Sequence, residues 1–224
     1  MKRFTLVCVD MAGTTVRDDG IVEQAASAAL EECGLQAGGE AHDKAMAYVR
    51  ATTGTSKIEV FRSICSHEDA AQLANLAFER AIATWAADGR IAALPYADET
   101  LKSLRAKGIR VALTTGFSPR TQQAIIRALG WEDAVDLAIA PGSGLRGRPF
   151  PDMILHAVLT LGIADVRQVA VVGDSVGDLY SGLRAGATLV AGVTTGSHDT
   201  NALREAGATH VLSHIGELPT LVGG

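Results

Sequence analysis

Phe4-Thr5-Leu6-Val7-Cys8-Val9-Asp10-Met11-Ala12-Gly13-Thr14-Thr15 decides the fold. A short apolar run rich in β-formers ends abruptly at an acid. Such a run reads as a strand buried on both faces, the kind found in parallel sheets. Asp10 then stands at the carboxyl end of that strand, where open α/β sheets place their ligands. Gly13 lets the chain turn sharply, and Thr14 offers a hydroxyl beside the acid. A strand-ending Asp can also simply make a turn, so the rest of the chain must decide. The stretch begins Met1-Lys2-Arg3 and mimics a signal peptide. Its apolar run nevertheless stops short of the ~7–15 residues a signal requires.

Similar runs recur at 109–114, 135–140, 169–172, 187–193 and 210–212. Between them lie amphipathic stretches at 98–107, 118–129, 151–161 and 175–185, which stop at Gly108, Gly130, Gly162 and Gly186. Strands alternating with short helices predict an α/β fold, a doubly wound, Rossmann-like parallel sheet. One region breaks the alternation. Between 16 and 92 no strand is legible, and 22–33, 41–50, 56–65 and 68–87 read as helices. An insert of roughly 75 residues is too long for a crossover. The expected organisation is an α/β core, 1–15 and 94–224, with an all-helical cap, 16–93, inserted after strand one.

The chain has 224 residues, 47% apolar and 20% charged, enough for a sizeable core. Its formal net charge of -5 argues against a nucleic-acid partner, which calls for clustered Lys and Arg. No stretch approaches the ~18 apolar residues of a membrane span. Cys8, Cys33 and Cys65 are irregularly spaced and read as reduced, buried thiols of a cytoplasmic protein. Gly142-Ser143-Gly144-Leu145-Arg146-Gly147 spells G-x-G-x-x-G but runs into prolines, so it reads as a loop. Asp18-Asp19 and Glu31-Glu32 read as solvated faces. Phe78 and Trp85 read as cap core or as a homodimer contact through the cap.

More acids stand at a second strand end, in Gly173-Asp174-Ser175-Val176-Gly177-Asp178. Acids from two adjacent strand ends can converge on one hard cation, and oxygen ligands suit Mg²⁺. Thr115 and the N–H of Gly116, after the second strand, are natural donors to a phosphate oxygen, assisted by the helix that follows. Arg148, between Gly147 and Pro149, can supply a fixed cation.

Asp10 with Gly13-Thr14 behind it, Thr115-Gly116, Arg148-Pro149 and Gly173-Asp174 with Asp178, in that order, resemble the haloacid dehalogenase superfamily. The resemblance implies that Asp10 is a nucleophile forming an aspartyl-phosphate. It assigns metal ligation to Asp10, the carbonyl of Ala12 and Asp174, with Asp178 supporting the metal or Arg148. Phosphate contacts fall to Thr115, Gly116 and Arg148, beside Thr14. Phosphatases of the superfamily carry a second acid two residues after the nucleophile, to protonate the leaving alkoxide. Here that position is Ala12. Asp-x-Ala-Gly-Thr-Thr, with Arg in the third motif, resembles the phosphonatase-like branch, which cleaves carbon–phosphorus bonds. There a cap lysine forms a Schiff base, and an enamine leaves in place of an alkoxide.

The matching lysine is Lys57, early in a cap helix; the other lysine of the insert is Lys44. Phosphonatase has a His three residues after that lysine and a Tyr after Thr-Gly, where this chain has Val60 and Phe117. The expected function is Mg²⁺-dependent hydrolysis of the C–P bond of a small 2-oxoalkyl phosphonate. The alternatives are a phosphate-monoester phosphatase of the same superfamily and a phosphoryl-binding module without turnover.

Overall fold

The computed structural model describes residues 4–223; Met1-Lys2-Arg3 of the signal-like start lies outside them. Six parallel strands form one sheet: β1 (Leu6–Asp10), β2 (Arg110–Thr114), β3 (Leu137–Ile139), β4 (Val169–Gly173), β5 (Leu189–Val193) and β6 (His210–Leu212). Their spatial order is β3-β2-β1-β4-β5-β6. The chain builds outward from β1 on one side, then returns to β4 and builds outward on the other. The order therefore reverses at β1, and the crevice beyond the ends of β1 and β4 is the switch point where such sheets bind ligands.

Alternation along the strands explains the two helical layers. Leu6 and Cys8 of β1 pack with Val169 and Val171 of β4 against Met153, Ile154 and Ala157. These last belong to α7 (Asp152–Thr160). Val7 and Val9 face the opposite side with Ala170, Val172, Leu101 and Leu104. That side is covered by α5 (Ala97–Ala106) and α6 (Pro119–Leu129). Beyond β4 come α8 (Val176–Ala185), α9 (Thr200–Glu205) and α10 (Leu218–Val222).

Four helices lie between β1 and α5: α1 (Ile21–Glu32), α2 (Glu40–Ala51), α3 (Lys57–Ile64) and α4 (Glu68–Ala87). No named strand interrupts them among the described residues. The chain leaves and re-enters the sheet side by side. Arg17 N–H donates to Ala92 O, and Leu94 N–H to Thr15 O, each at 2.9 Å. The helices do not stand apart from the sheet layers. Phe78 of α4 meets Phe117 with ring centroids 6.0 Å apart, and both belong to the apolar cluster that covers one face of β1. Phe78 is thus core, whereas Trp85 is half-buried under Arg90. The cysteine expectation holds for Cys8, buried, with burial pushing its thiol up to about 12. It is corrected for Cys33 and Cys65, which are half-buried where α1 and α3 end. No helix among the described residues is long and apolar enough to cross a membrane.

α8 approaches β4 closely because Gly182 has no side chain. A Cβ there would lie 2.9 Å from Val171 Cβ and 3.1 Å from each of its γ-carbons. Alanine raises helix propensity by about 1 kcal/mol over glycine. Overpacking against a β-branched neighbour costs about 1–3 kcal/mol. Gly182→Ala should therefore lower the urea midpoint despite the better helix former. Combined with Val171→Ala, it should cost less than the sum of the two single changes.

Candidate active site

The chain after β1 wraps around one carbonyl. Met11 O accepts from Thr14, Thr15 and Val16 N–H at 3.1, 2.8 and 2.7 Å. Gly13 makes the turn at φ +82°, a left-handed conformation that costs glycine little. Its missing Cβ also matters, since one there would lie 2.7 Å from Asp174 Oδ2. The turn fixes Asp10 at the sheet edge, opposite Thr114 in register.

Arg148 ties the strand ends together. Its Nη2 lies 2.7 Å from Asp10 Oδ1 and its Nε 2.7 Å from Asp178 Oδ1. The Nη2 group also donates to Thr114 Oγ1 at 2.9 Å. Asp178 is itself held in the capping box of α8, where Ser175 N–H and Oγ–H donate to its Oδ2 at 3.1 and 2.5 Å. Asp174 Oδ2 accepts from Ser197 N–H and Oγ–H at 2.6 and 2.7 Å.

Asp10, Asp174 and Asp178 bring carboxylate oxygens within 4.8 Å of one another, all buried. Burial drives the Asp10 carboxyl well above its ordinary range; Arg148 opposes this, and Asp178 and Asp174 add to it. Burial likewise raises Asp178, against the pull of Arg148. Asp10 Oδ2 is buried without a hydrogen-bond partner. An all-oxygen donor set, an excess of negative charge and an orphaned carboxylate oxygen fit a hard divalent cation.

The opposite wall comes from the helical insert. A cavity of about 410 Å³ is lined by Asp10, Ala12, Thr115, Gly116, Arg148 and Asp174 from the sheet side, and by Lys57 from α3. The loop before α3 is wedged into the mouth of the sheet. A Cβ on Gly116 would meet Thr55 O at 2.7 Å, and one on Gly54 would meet Ser175 Oγ at 2.4 Å. Lys57 N–H donates to Gly116 O at 3.2 Å. The Lys57 side chain is only 6% exposed. Burial pushes its ammonium down to about 8, with Asp18 opposing the fall and Arg148 adding to it.

Asp10, Ala12, Lys57, Thr115, Gly116, Arg148 and Asp174 thus share one cavity, and Asp178 stands behind Arg148. Thr14 departs from the expected phosphate contact. It is buried outside the cavity lining, its hydroxyl 3.5 Å from Asp174 Oδ1. The turn at Gly13 swings it beneath the metal-type cluster and away from the space a ligand would fill. Asp18 departs too: it is half-buried and lines the cavity, not a solvated face. Sequence reading missed the loop after β5, where Thr195 donates to Gly13 O at 2.7 Å and Ser197 holds Asp174. Val193-Thr194-Thr195-Gly196-Ser197 repeats the strand–hydroxyl–glycine pattern of Leu113-Thr114-Thr115-Gly116, and that signal could have found it.

The family model for haloacid dehalogenase-like hydrolase matches residues 4–186. A phosphonoacetaldehyde hydrolase from Parabacteroides distasonis is 30% identical over 155 residues, which are 58% of this chain and 58% of that protein. The match thus spans less than two thirds of that relative's length. Among solved structures, a phosphonoacetaldehyde hydrolase like protein from Oleispira antarctica superposes with a TM-score of 0.80 at 23% identity, covering 98% of this chain and 91% of that one. A Lactobacillus delbrueckii protein described as a phosphoglycolate phosphatase superposes at 0.79 and 19%, covering 100% of both chains. At those identities the two structures speak for the fold alone.

A ligand that binds only the folded chain stabilises it by about 2.7 kcal/mol at a hundred times its Kd. Mg²⁺ should therefore raise the melting temperature by several degrees, and Asp174→Asn should abolish that shift. An unchanged melting temperature across a millimolar titration would count against a cation site between β1 and β4.

Proposed function

The chain belongs to the haloacid dehalogenase-like hydrolases, and on that premise we propose that it is phosphonatase-like, cleaving the C–P bond of a small 2-oxoalkyl phosphonate. One observation carries the reading: a buried lysine, its pKa lowered to about 8, shares a closed cavity with Asp10. Ala12 supports it, because the position that would protonate an alkoxide has no proton to give.

Asp10, the Ala12 carbonyl and Asp174 would hold Mg²⁺, with Asp178 in support. When bound, that ion offsets the charge that would otherwise keep a phosphoryl dianion from a carboxylate. Thr115 and the Gly116 N–H would donate to phosphoryl oxygens at the start of α6, next to the Arg148 guanidinium. Arg148 engages Asp10 Oδ1, so the carboxylate is oriented before substrate arrives. Lys57 adds to the carbonyl carbon and, with loss of water, becomes an iminium. As Asp10 attacks phosphorus, the C–P electron pair moves toward the iminium nitrogen, leaving an enamine on Lys57 and a phosphoryl group on Asp10. Water releases both.

An ammonium with an ordinary pKa would be neutral about once in a thousand at pH 7.4; at about 8 the neutral fraction is roughly a fifth. The enclosed cavity would also protect the imine from bulk water.

Lys57→Arg keeps the charge but removes the imine-forming amine. It should lose phosphate release from phosphonoacetaldehyde almost completely. Borohydride with phosphonoacetaldehyde should inactivate the parent and add mass to the Lys57 peptide. A phosphate-monoester phosphatase would instead retain much of its turnover in the Arg variant, with no trapped adduct.

The pH profile gives an independent check. The neutral amine is the nucleophile and its fraction grows as pH rises, so trapping should speed up with pH and level off above about 8. A plateau already reached at pH 6, or a climb continuing to pH 10, would contradict the environment of Lys57.

A further inference from the structure

The reaction at Lys57 needs a proton carrier at the carbonyl oxygen, and the residues assigned so far supply none. Ala12 has no acid. Val60, one turn along α3 from Lys57, is an apolar side chain 2% exposed. Phe117 brings a ring without a hydroxyl. Arg148 is committed to two carboxylates and stays protonated.

One acid of the cavity wall has no assigned task. Asp18 lies on the link between β1 and α1, in the same wall as Lys57. Val22 N–H donates to its Oδ1 at 2.9 Å, which anchors the side chain at the first turn of α1. Among the acids that act on the Lys57 ammonium, Asp18 pulls most strongly, ahead of Asp10 and Asp174. Burial raises its own pKa, which brings the protonated form closer to neutral pH. The other titratable groups of the wall are placed differently. Glu23 is paired with Arg50 at 2.9 Å, and His198 follows the Ser197 that holds Asp174, across the cavity from the insert.

We propose that Asp18 is the acid–base of the carbonyl half of the site. The inference rests on the Schiff-base reading of Lys57. Neutral Lys57 adds its nitrogen pair to the carbonyl carbon, and a proton passes from nitrogen to oxygen, giving a carbinolamine. Protonated Asp18 donates to the carbinolamine hydroxyl as the C–O bond breaks. Water leaves, the nitrogen pair closes the C=N bond of the iminium, and Asp18 remains as carboxylate. After C–P cleavage the enamine carbon takes a proton from water and the iminium re-forms. A second water then attacks the iminium carbon while the Asp18 carboxylate accepts its proton. Carbinolamine collapse returns the carbonyl product and free Lys57, with Asp18 protonated as at the start. One acid thus serves both directions of imine exchange, and no proton donor is needed beside phosphorus.

The test follows the borohydride-trapped adduct on the Lys57 peptide, with phosphonoacetaldehyde as probe, in the parent, Asp18→Ala and Asp18→Glu. General acid–base groups contribute about 10²–10⁴-fold. Asp18→Ala should slow trapping by about 100-fold or more, and added formate should restore it in proportion to its concentration. Asp18→Glu should stay within about tenfold of the parent. A purely structural role for Asp18 would not respond to formate. Parental trapping rates in Asp18→Ala, or a loss that formate does not relieve, would overturn the assignment while leaving Lys57 in place. Absence of any adduct in the parent would overturn the Lys57 reading, and this inference with it.

Discussion

Arg148 lets three acids meet at one sheet edge. Its two ion pairs, each 2.7 Å, join the end of β1 to the first turn of α8, and its third contact reaches the end of β2. Removing one partner of a buried pair typically costs about 3–5 kcal/mol, because the remaining charge is stranded. Without the guanidinium, Asp10 and Asp178 would each face a like charge inside the protein. Arg148 cannot neutralise the whole cluster, however, since three carboxylates surround one cation. The fold therefore holds an unbalanced negative site in place, which is the condition a divalent ion and a phosphoryl dianion together require.

The same constraint explains how closely the helical insert must fit. Gly54, Gly116 and Gly147 all lie where the loop before α3 meets the sheet loops, and a Cβ at each would come within 3.1 Å of a facing atom. Close contact here removes water from the cavity. Loss of water acts oppositely on the two sides: it raises the Asp10 carboxyl and lowers the Lys57 ammonium. Both shifts favour the neutral forms, which for Lys57 is the reactive one. Phe78 against Phe117 adds apolar contact to the same seam, so the packing that seals the cavity also tunes its lysine.

The sheet was legible because each buried strand is a continuous apolar run, and each helix end carries a glycine. Strand limits differ from expectation by a residue or two where the runs fray, as at Leu6–Asp10 and Leu137–Ile139. Asp10, Asp174, Asp178 and Arg148 were legible because charged residues at the ends of apolar runs have few places to go. Lys57 was different: nothing in its local spacing separates it from a surface lysine, and only the resemblance singled it out. Asp18 was misread for a related reason. Two adjacent acids before a helix look solvated until a second element, here α3 with its lysine, is folded over them. Thr14 was misplaced because proximity in sequence to Asp10 says nothing about direction once Gly13 turns the chain. Ser197 escaped because its task, holding a carboxylate that belongs to another strand, is visible only in three dimensions.

Ala12 and Lys57 make sense together on the proposed reading. An ester needs a proton at the oxygen that leaves, and the natural place for that acid is beside the nucleophile. A further carboxyl there would add to a cluster already holding three, and would need its own means of staying protonated. Carbon leaves differently: its electron pair must be delocalised, and a proton on oxygen does not help. An iminium on Lys57 puts a positive charge two bonds from the departing carbon, in a cavity where low polarity strengthens its pull. The burden of leaving-group activation thereby moves from the β1 turn to the insert. A methyl suffices at position 12, and whatever proton transfer remains belongs on the lysine's side of the cavity, where Asp18 stands.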